Sequence, residues 1–277
     1  MRSMVSARRG GRAATYLFLL LGTAAMIAPF VWMVLTSFKT VEESMRLPPT
    51  FLPQAPTAQS YARALSLLPF ARLYLNTGAM ILLRVACAAA FSSMAGYAFA
   101  KLPFPGRRLC FAVVVTQLML PAQIFIIPQY QMLAALRLTN TLFALVFPGL
   151  VSAFGTFFLR QAFMGVPDEL LEAARLDGCG QGRIFAQVAL PLVGAPMAAL
   201  SVFTAVFAYG DLMWPLICNS DLNRMTLSAG LSTLRGQFTT NFPVLMAGSV
   251  LAMAPMVALY LLFQRQFIEG IAMTGGK

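Results

Sequence analysis

The chain has 277 residues, 59% of them hydrophobic and only 10% charged, where soluble domains run at roughly 45–50% apolar and about 25% charged. So few charges cannot cover the water-facing surface of a folded chain this long, which excludes a soluble enzyme and a disordered chain and leaves lipid as the main solvent. The net charge of +11 does not point to nucleic acid, because the Lys and Arg residues sit between long apolar stretches, as flanks of membrane spans do.

In chain order, residues 1–14 form a basic tail that contains Arg8, Arg9 and Arg12. A first span follows at 15–37. Its apolar run exceeds the roughly 7–15 residues of a signal-peptide core, so it is expected to remain uncleaved. The loop at 38–72 holds five prolines (Pro48, Pro49, Pro53, Pro56 and Pro69) and is too short for an independent domain. Further spans are expected at 73–100, 109–133, 141–163, 192–217 and 242–264, each near the ~20 residues that a bilayer requires. A second loop lies at 164–191 and a tail at 265–277. The fold class is therefore an all-α integral membrane protein with six transmembrane helices.

With the N-terminus inside, twelve Lys or Arg residues fall on the cytoplasmic side and seven on the other, which places both termini in the cytoplasm. Prolines punctuate the spans (Pro29, Pro121, Pro128, Pro148, Pro196, Pro215 and Pro255). They read either as kinks for alternating access or as ordinary membrane-helix shaping. The four cysteines are scattered and histidine is absent. Neither a metal site, a disulfide framework nor a catalytic centre is expected.

The loop at 164–191 carries four of the nine acids: Asp168, Glu169, Glu172 and Asp177. It reads as a short helix with Pro167 in its first turn and acids at its positive end. Glu172 and Arg175 are spaced to pair, and Gly178 is placed to end the helix in a left-handed conformation. Such a helix is marginal in water by itself. Its apolar side (Leu170, Leu171) and small face (Ala173, Ala174) suit docking, either on a partner or on the chain's own spans.

The spacing Glu172-Ala173-Ala174, three residues, Gly178, nine residues, then Val188-x-Leu190-Pro191 resembles the EAA loop of ABC importer permeases, with valine where isoleucine is usual. Tyr74-x-Asn76-Thr77, Gly96-Tyr97-Ala98-Phe99-Ala100, Leu120-Pro121, Phe157-Phe158-Leu159-Arg160-Gln161, Trp214-Pro215-Leu216 and Phe263-Gln264-Arg265 extend the likeness over about 70–277. They look like the carbohydrate-uptake branch, the maltose- and glycerol-phosphate-type inner-membrane permeases. Gly210 stands before Asp211 where that family commonly has asparagine.

The resemblance implies a type I ABC importer permease in the inner membrane, multi-pass, forming half of a translocation path for a sugar or related solute. It implies a second permease subunit, two copies of an ABC ATPase and an extracytoplasmic solute-binding protein as partners. The ATPase interface would comprise Leu170, Leu171, Glu172, Ala173, Ala174, Asp177 and Gly178. The chain has no usable P-loop, since Gly270 to Gly275 is followed only by Gly276 and Lys277. ATP is then used by the partner and no cofactor is bound by this chain.

Arg84 and Asp211 are charges within predicted spans, and such residues face a cavity or a partner rather than lipid. For Arg84 the sequence leaves open a pair with Asp211, a contact with a second permease and an anionic substrate. Tyr97, Gln117 and Trp214 join them as expected residues of the translocation path. An ion-driven secondary transporter is the alternative, weakened by the scarcity of titratable groups in the spans. A permease for glycerol phosphate rather than sugar is another.

Overall fold

The computed structural model describes residues 2–236 and 240–275, and every regular element among the described residues is helical. Within α1 (Arg2–Ser37), the stretch Thr15–Ser37 is long and apolar enough to cross a membrane, as is α3 (Phe70–Lys101). Three further stretches qualify only as bent pairs of helices. The chain divides into two units: Met1–Leu68 with Leu231–Met256, and Pro69–Gly230 with Val257–Lys277.

In the first unit, the membrane stretch of α1 exposes large apolar side chains on all sides, among them Tyr16, Phe18, Leu20 and Met26. That is the surface of a helix solvated by lipid. Its end is pinned by the folded Pro-rich loop that follows. Ser37 and Tyr61, on α2 (Gln59–Leu67), share a hydrogen bond of 2.7 Å. Lys39 is buried, with its Nζ 4.5 Å from the centre of the Trp32 ring and donating to the Thr50 carbonyl. The Glu43 carboxylate accepts from Thr50 Oγ1 at 2.7 Å and from the Gln54 amide at 2.9 Å. The Thr50 hydroxyl foremost, then the Gln54 amide and the nearby Lys39 charge, hold its pKa below the ordinary carboxylate value. Outside its two short helices, the Pro-rich loop is thus ordered by hydrogen bonds made by side chains.

In the second unit, α3 packs most extensively on α7 (Ala153–Met164) and next on α9 (Gly194–Gly210). Small residues permit the approach, as between membrane helices generally. At Gly96 an added Cβ would lie 2.9 Å from the backbone nitrogen of Arg160 and 3.1 Å from the Leu159 carbonyl carbon. Only glycine fits that crossing.

The expected span at 109–133 is α4 (Arg107–Met119) followed by a turn and α5 (Ile126–Ala135), bent by 104°. The cause is local. A residue before proline disfavours the α region, and Leu120, preceding Pro121, is extended at φ −94°, ψ 133°. The expected span at 141–163 likewise divides into Leu142–Gly149 and α7, bent by 46°. Its first part is α6 (Leu142–Val146), tightening into a turn at Phe147–Gly149 that contains Pro148. A third bend, of 78°, separates Gln181–Leu192 from α9. Ahead of it, Pro191 cannot donate to the carbonyl four residues back, and the preceding turn, Ile184–Ala189, is wound in the wider π register. Pro29 and Pro255, by contrast, sit inside unbroken helices. The prolines therefore divide between breaks and ordinary shaping.

Candidate functional site

Two places in the second unit gather the residues singled out by sequence. The first is the loop after α7. Its helix α8 (Asp168–Leu176) starts one residue later than expected, with Pro167 extended just ahead of it. Leu171 and Ala174, three apart, turn inward and are buried with Tyr97, Leu159, Phe163, Ile184 and Leu200. Leu170, Glu172, Ala173, Asp177 and Gly178 are exposed.

Leu176, which sequence reasoning passed over, is 90% exposed. An apolar side chain on one stripe with Leu170 and Ala173 was the available signal. Among the described residues no ion pair joins Glu172 to Arg175, so Glu172 is left to solvent or to a partner.

The helix ends as its glycine predicts. Gly178 has φ +82°, its amide donates to the Arg175 carbonyl, and the Cys179 amide donates to Ala174, both at 3.0 Å. This is the Schellman pattern, in which a left-handed residue lets two amides return to the last turn. At the other end, Lys101 Nζ donates to the Val166 carbonyl and to Asp168 Oδ1, each at 2.6 Å. With Lys101 only 7% exposed, the start of the loop is tied to the end of α3.

The second place is a cavity of about 740 Å³ whose wall is built by α3, the α4–α5 bend, α7 and α9. That volume lies within the ~300–1,000 Å³ of small-molecule sites. Arg84, Gln117, Asp211 and Trp214 all line it. Tyr97 does not. It is buried beside the loop, its ring 5.5 Å from Phe163 and 5.2 Å from Phe185. Gln129, Ser152, Thr204, Phe154, Phe203 and Phe207 are among its further polar and aromatic lining. They escaped sequence reasoning because a helix apolar on every side, such as α9, gives no face to choose.

Arg84 pairs with Asp211 at 2.9 Å. Its Nε and Nη2 both donate to the Leu145 carbonyl, and Trp214 Nε1 donates to the Ala144 carbonyl at 2.8 Å. The two carbonyls belong to α6, whose regular ladder fails at Pro148, the residue four beyond Ala144. Within lipid such carbonyls need donors from elsewhere in the protein. Arg84 and Trp214 supply them. Gly149 accommodates the arginine stem, since a Cβ there would lie 2.6 Å from Arg84 Cγ.

Arg84 and Lys101 are seventeen residues apart on the unbroken α3, about 25 Å at the rise of an α-helix. One rigid element therefore joins the cavity wall to the loop.

Residues 3–272 match the family described as binding-protein-dependent transport system inner membrane components. The arabinooligosaccharides transport system permease protein AraQ of Halalkalibacterium halodurans is 40% identical over 187 residues, which is 68% of this chain and 67% of that protein. The sn-glycerol-3-phosphate transport system permease protein UgpE of Salmonella typhi is 33% identical over 276 residues, covering 97% of this chain and 98% of its own. Among solved structures, a chain of a bacterial ABC transporter involved in the import of the acidic polysaccharide alginate superimposes with a TM-score of 0.79 at 20% identity. That match covers 94% of this chain and 97% of the other. At this identity the likeness is one of fold.

Proposed function

The chain belongs to the family of binding-protein-dependent transport system inner membrane components, and from that premise we propose that α8 couples it to a separate ATPase while its cavity forms half of a solute path. It is a multi-pass transmembrane permease subunit of an ATP-binding-cassette importer with the type I permease fold. The relatives it matches are transport permeases.

The observation that carries the proposed coupling role is α8 itself. Leu171 and Ala174 anchor it inward, Gly178 closes it, and Leu170, Glu172, Ala173 and Leu176 are presented outward. A single apolar helix face left in water has a cost that a partner's cleft removes. In this reading Glu172 supplies a polar contact to the partner, and Leu171 and Ala174 hold the helix from behind. Movement of α8 on ATP binding passes through Lys101 and α3 to the cavity wall.

The assembly is this chain, a second permease, two copies of the ATPase and an extracytoplasmic solute-binding protein, with both termini of this chain in the cytoplasm. ATP is hydrolysed by the partner, and this chain holds no cofactor. The solute is a sugar or related compound, in keeping with relatives named for arabinooligosaccharides and for glycerol phosphate.

The test is uptake in proteoliposomes with and without the ATPase subunit. Uptake is expected to require both ATP and that subunit. Accumulation without the ATPase, driven by a proton or sodium gradient, would establish a secondary transporter instead.

A further inference from the structure

The loop that follows α1 hides charge and shows apolar side chains, the reverse of a loop bathed in water. Lys39 and Glu43 are both buried. The first lies against Trp32 and the Thr50 carbonyl, the second against Thr50 and Gln54. From Leu47 to Ala62 no residue is charged. Leu47 is 88% exposed, and Phe51 and Leu52 are each 66% exposed. Pro48, Pro49 and Pro53 stand between and beside them and fix φ there. Three large apolar side chains within six residues form a patch, which marks a partner or a membrane, whereas scattered surface apolars mark neither.

The level of this patch follows from α1. Thr15–Ser37 has 23 residues, about 35 Å at the α-helical rise, against ~30 Å of hydrocarbon. Trp32 stands five residues before the end of that stretch, about 8 Å back along the axis. Its ring therefore falls at the edge of the hydrocarbon, the level at which tryptophan is enriched in membrane proteins.

Phe51 packs edge-on against that ring, with centroids 5.9 Å apart. The loop thus folds back along α1 to bilayer depth. Its bare apolar side chains continue the lipid-facing surface of α1, on which Phe30 and Val31 are also exposed. A lipid surface asks only for apolar area at that depth. A protein docking from water asks in addition for a polar rim, and this segment has no charge to offer one. Arg46, at its border, is exposed and donates to Gln54 Oε1 at 3.2 Å. Cations at such borders keep their heads at the headgroups.

We propose that the segment Leu47–Leu52 is an interfacial anchor. Leu47, Phe51 and Leu52 insert among the lipid headgroups and upper acyl chains beside Trp32 and hold the end of α1 at the bilayer surface. The occupant of this surface is lipid. The anchor rests on the membrane crossing of α1 and is independent of the coupling role of α8.

The experiment uses the complete importer in liposomes of phosphatidylcholine and phosphatidylglycerol. Leu47→Cys and Leu52→Cys are made separately in a chain whose native cysteines are replaced, and each is labelled with a nitroxide. Both side chains are exposed, so the labels open no hole in the packing. Relaxation of each label by oxygen, which partitions into lipid, is compared with relaxation by a water-soluble nickel chelate. With the binding protein absent, oxygen is expected to exceed the nickel chelate several-fold at both positions. Nickel-dominated relaxation overturns the anchor, because the loop then faces water. If added binding protein abolishes that nickel access, the occupant is that protein. Low access to both reagents overturns the anchor as well, because protein then covers the loop.

Discussion

Replacing Gly178 with valine is expected to lower ATP-driven uptake at least tenfold while leaving the amount of chain inserted in the membrane unchanged. The two effects separate because of the local geometry. A Cβ at position 178 would meet no atom within 4 Å, so the substitution creates no clash in the core. Its cost is confined to the backbone. Gly178 sits at φ +82°, where an L-residue pays roughly 1–2 kcal/mol and a β-branched residue is a genuine outlier. Valine would pull the backbone out of the left-handed region and break the two amide bonds that close α8. Asp177 and the following turn would then be presented to the partner in a different shape. Gly178→Asn supplies the control, because asparagine tolerates the left-handed region. It is expected to retain most of the uptake. Equal uptake in Gly178→Val and the unaltered chain would mean that the shape of this loop is irrelevant to coupling.

The second large effect is expected at Arg84→Leu. Removing one partner of a buried ion pair costs about 3–5 kcal/mol, because the other charge is left uncompensated. Here Asp211 retains some contact with the cavity, which favours the lower end of that range. The Leu145 carbonyl loses its donors as well. At about 2–4 °C per kcal/mol for chains of 150–250 residues, the melting temperature of the detergent-solubilised protein should fall by about 6–12 °C. Adding Asp211→Leu removes the orphaned charge and is expected to recover part of the loss. An additive double variant would show that the 2.9 Å pair contributes no coupling of its own.

These two sites differ in how far they could be read from residues alone. The loop was legible as a spaced pattern because its helix is set by local chemistry: acids at its start, small residues within it and a glycine at its end. Its inward face was less so. Leu170 and Leu171 are adjacent and about 100° apart around the helix, and only the packing of Leu171 with Leu159, Phe163 and Ile184 decides which one turns in. The exposed side of α8 is correspondingly narrower than the sequence implied, without Leu171 and Ala174 and with Leu176.

The membrane interior was legible only as isolated anomalies. Arg84 and Asp211 stood out as charges, but 127 residues separate them and nothing local joins them. What joins them is the proline break in α6, whose freed carbonyls recruit Arg84 and Trp214 to one wall. Tyr97 was grouped with the solute path on residue type, yet its place near the Lys101 end of α3 puts it behind the loop. The 104° bend after α4 follows from Leu120-Pro121, although a hydropathy pattern reads straight through it.

Contact between α8 and a separate ATPase is open to cross-linking in membranes. A Leu176→Cys variant is made in a chain whose native cysteines at 87, 110, 179 and 218 are replaced, and the intact complex is treated with a short thiol-reactive cross-linker in membranes. A product of this chain with the ATPase subunit is expected, formed in a yield that changes when ATP is added. A Leu176→Cys complex that transports normally but yields no such product, with or without ATP, would contradict the contact.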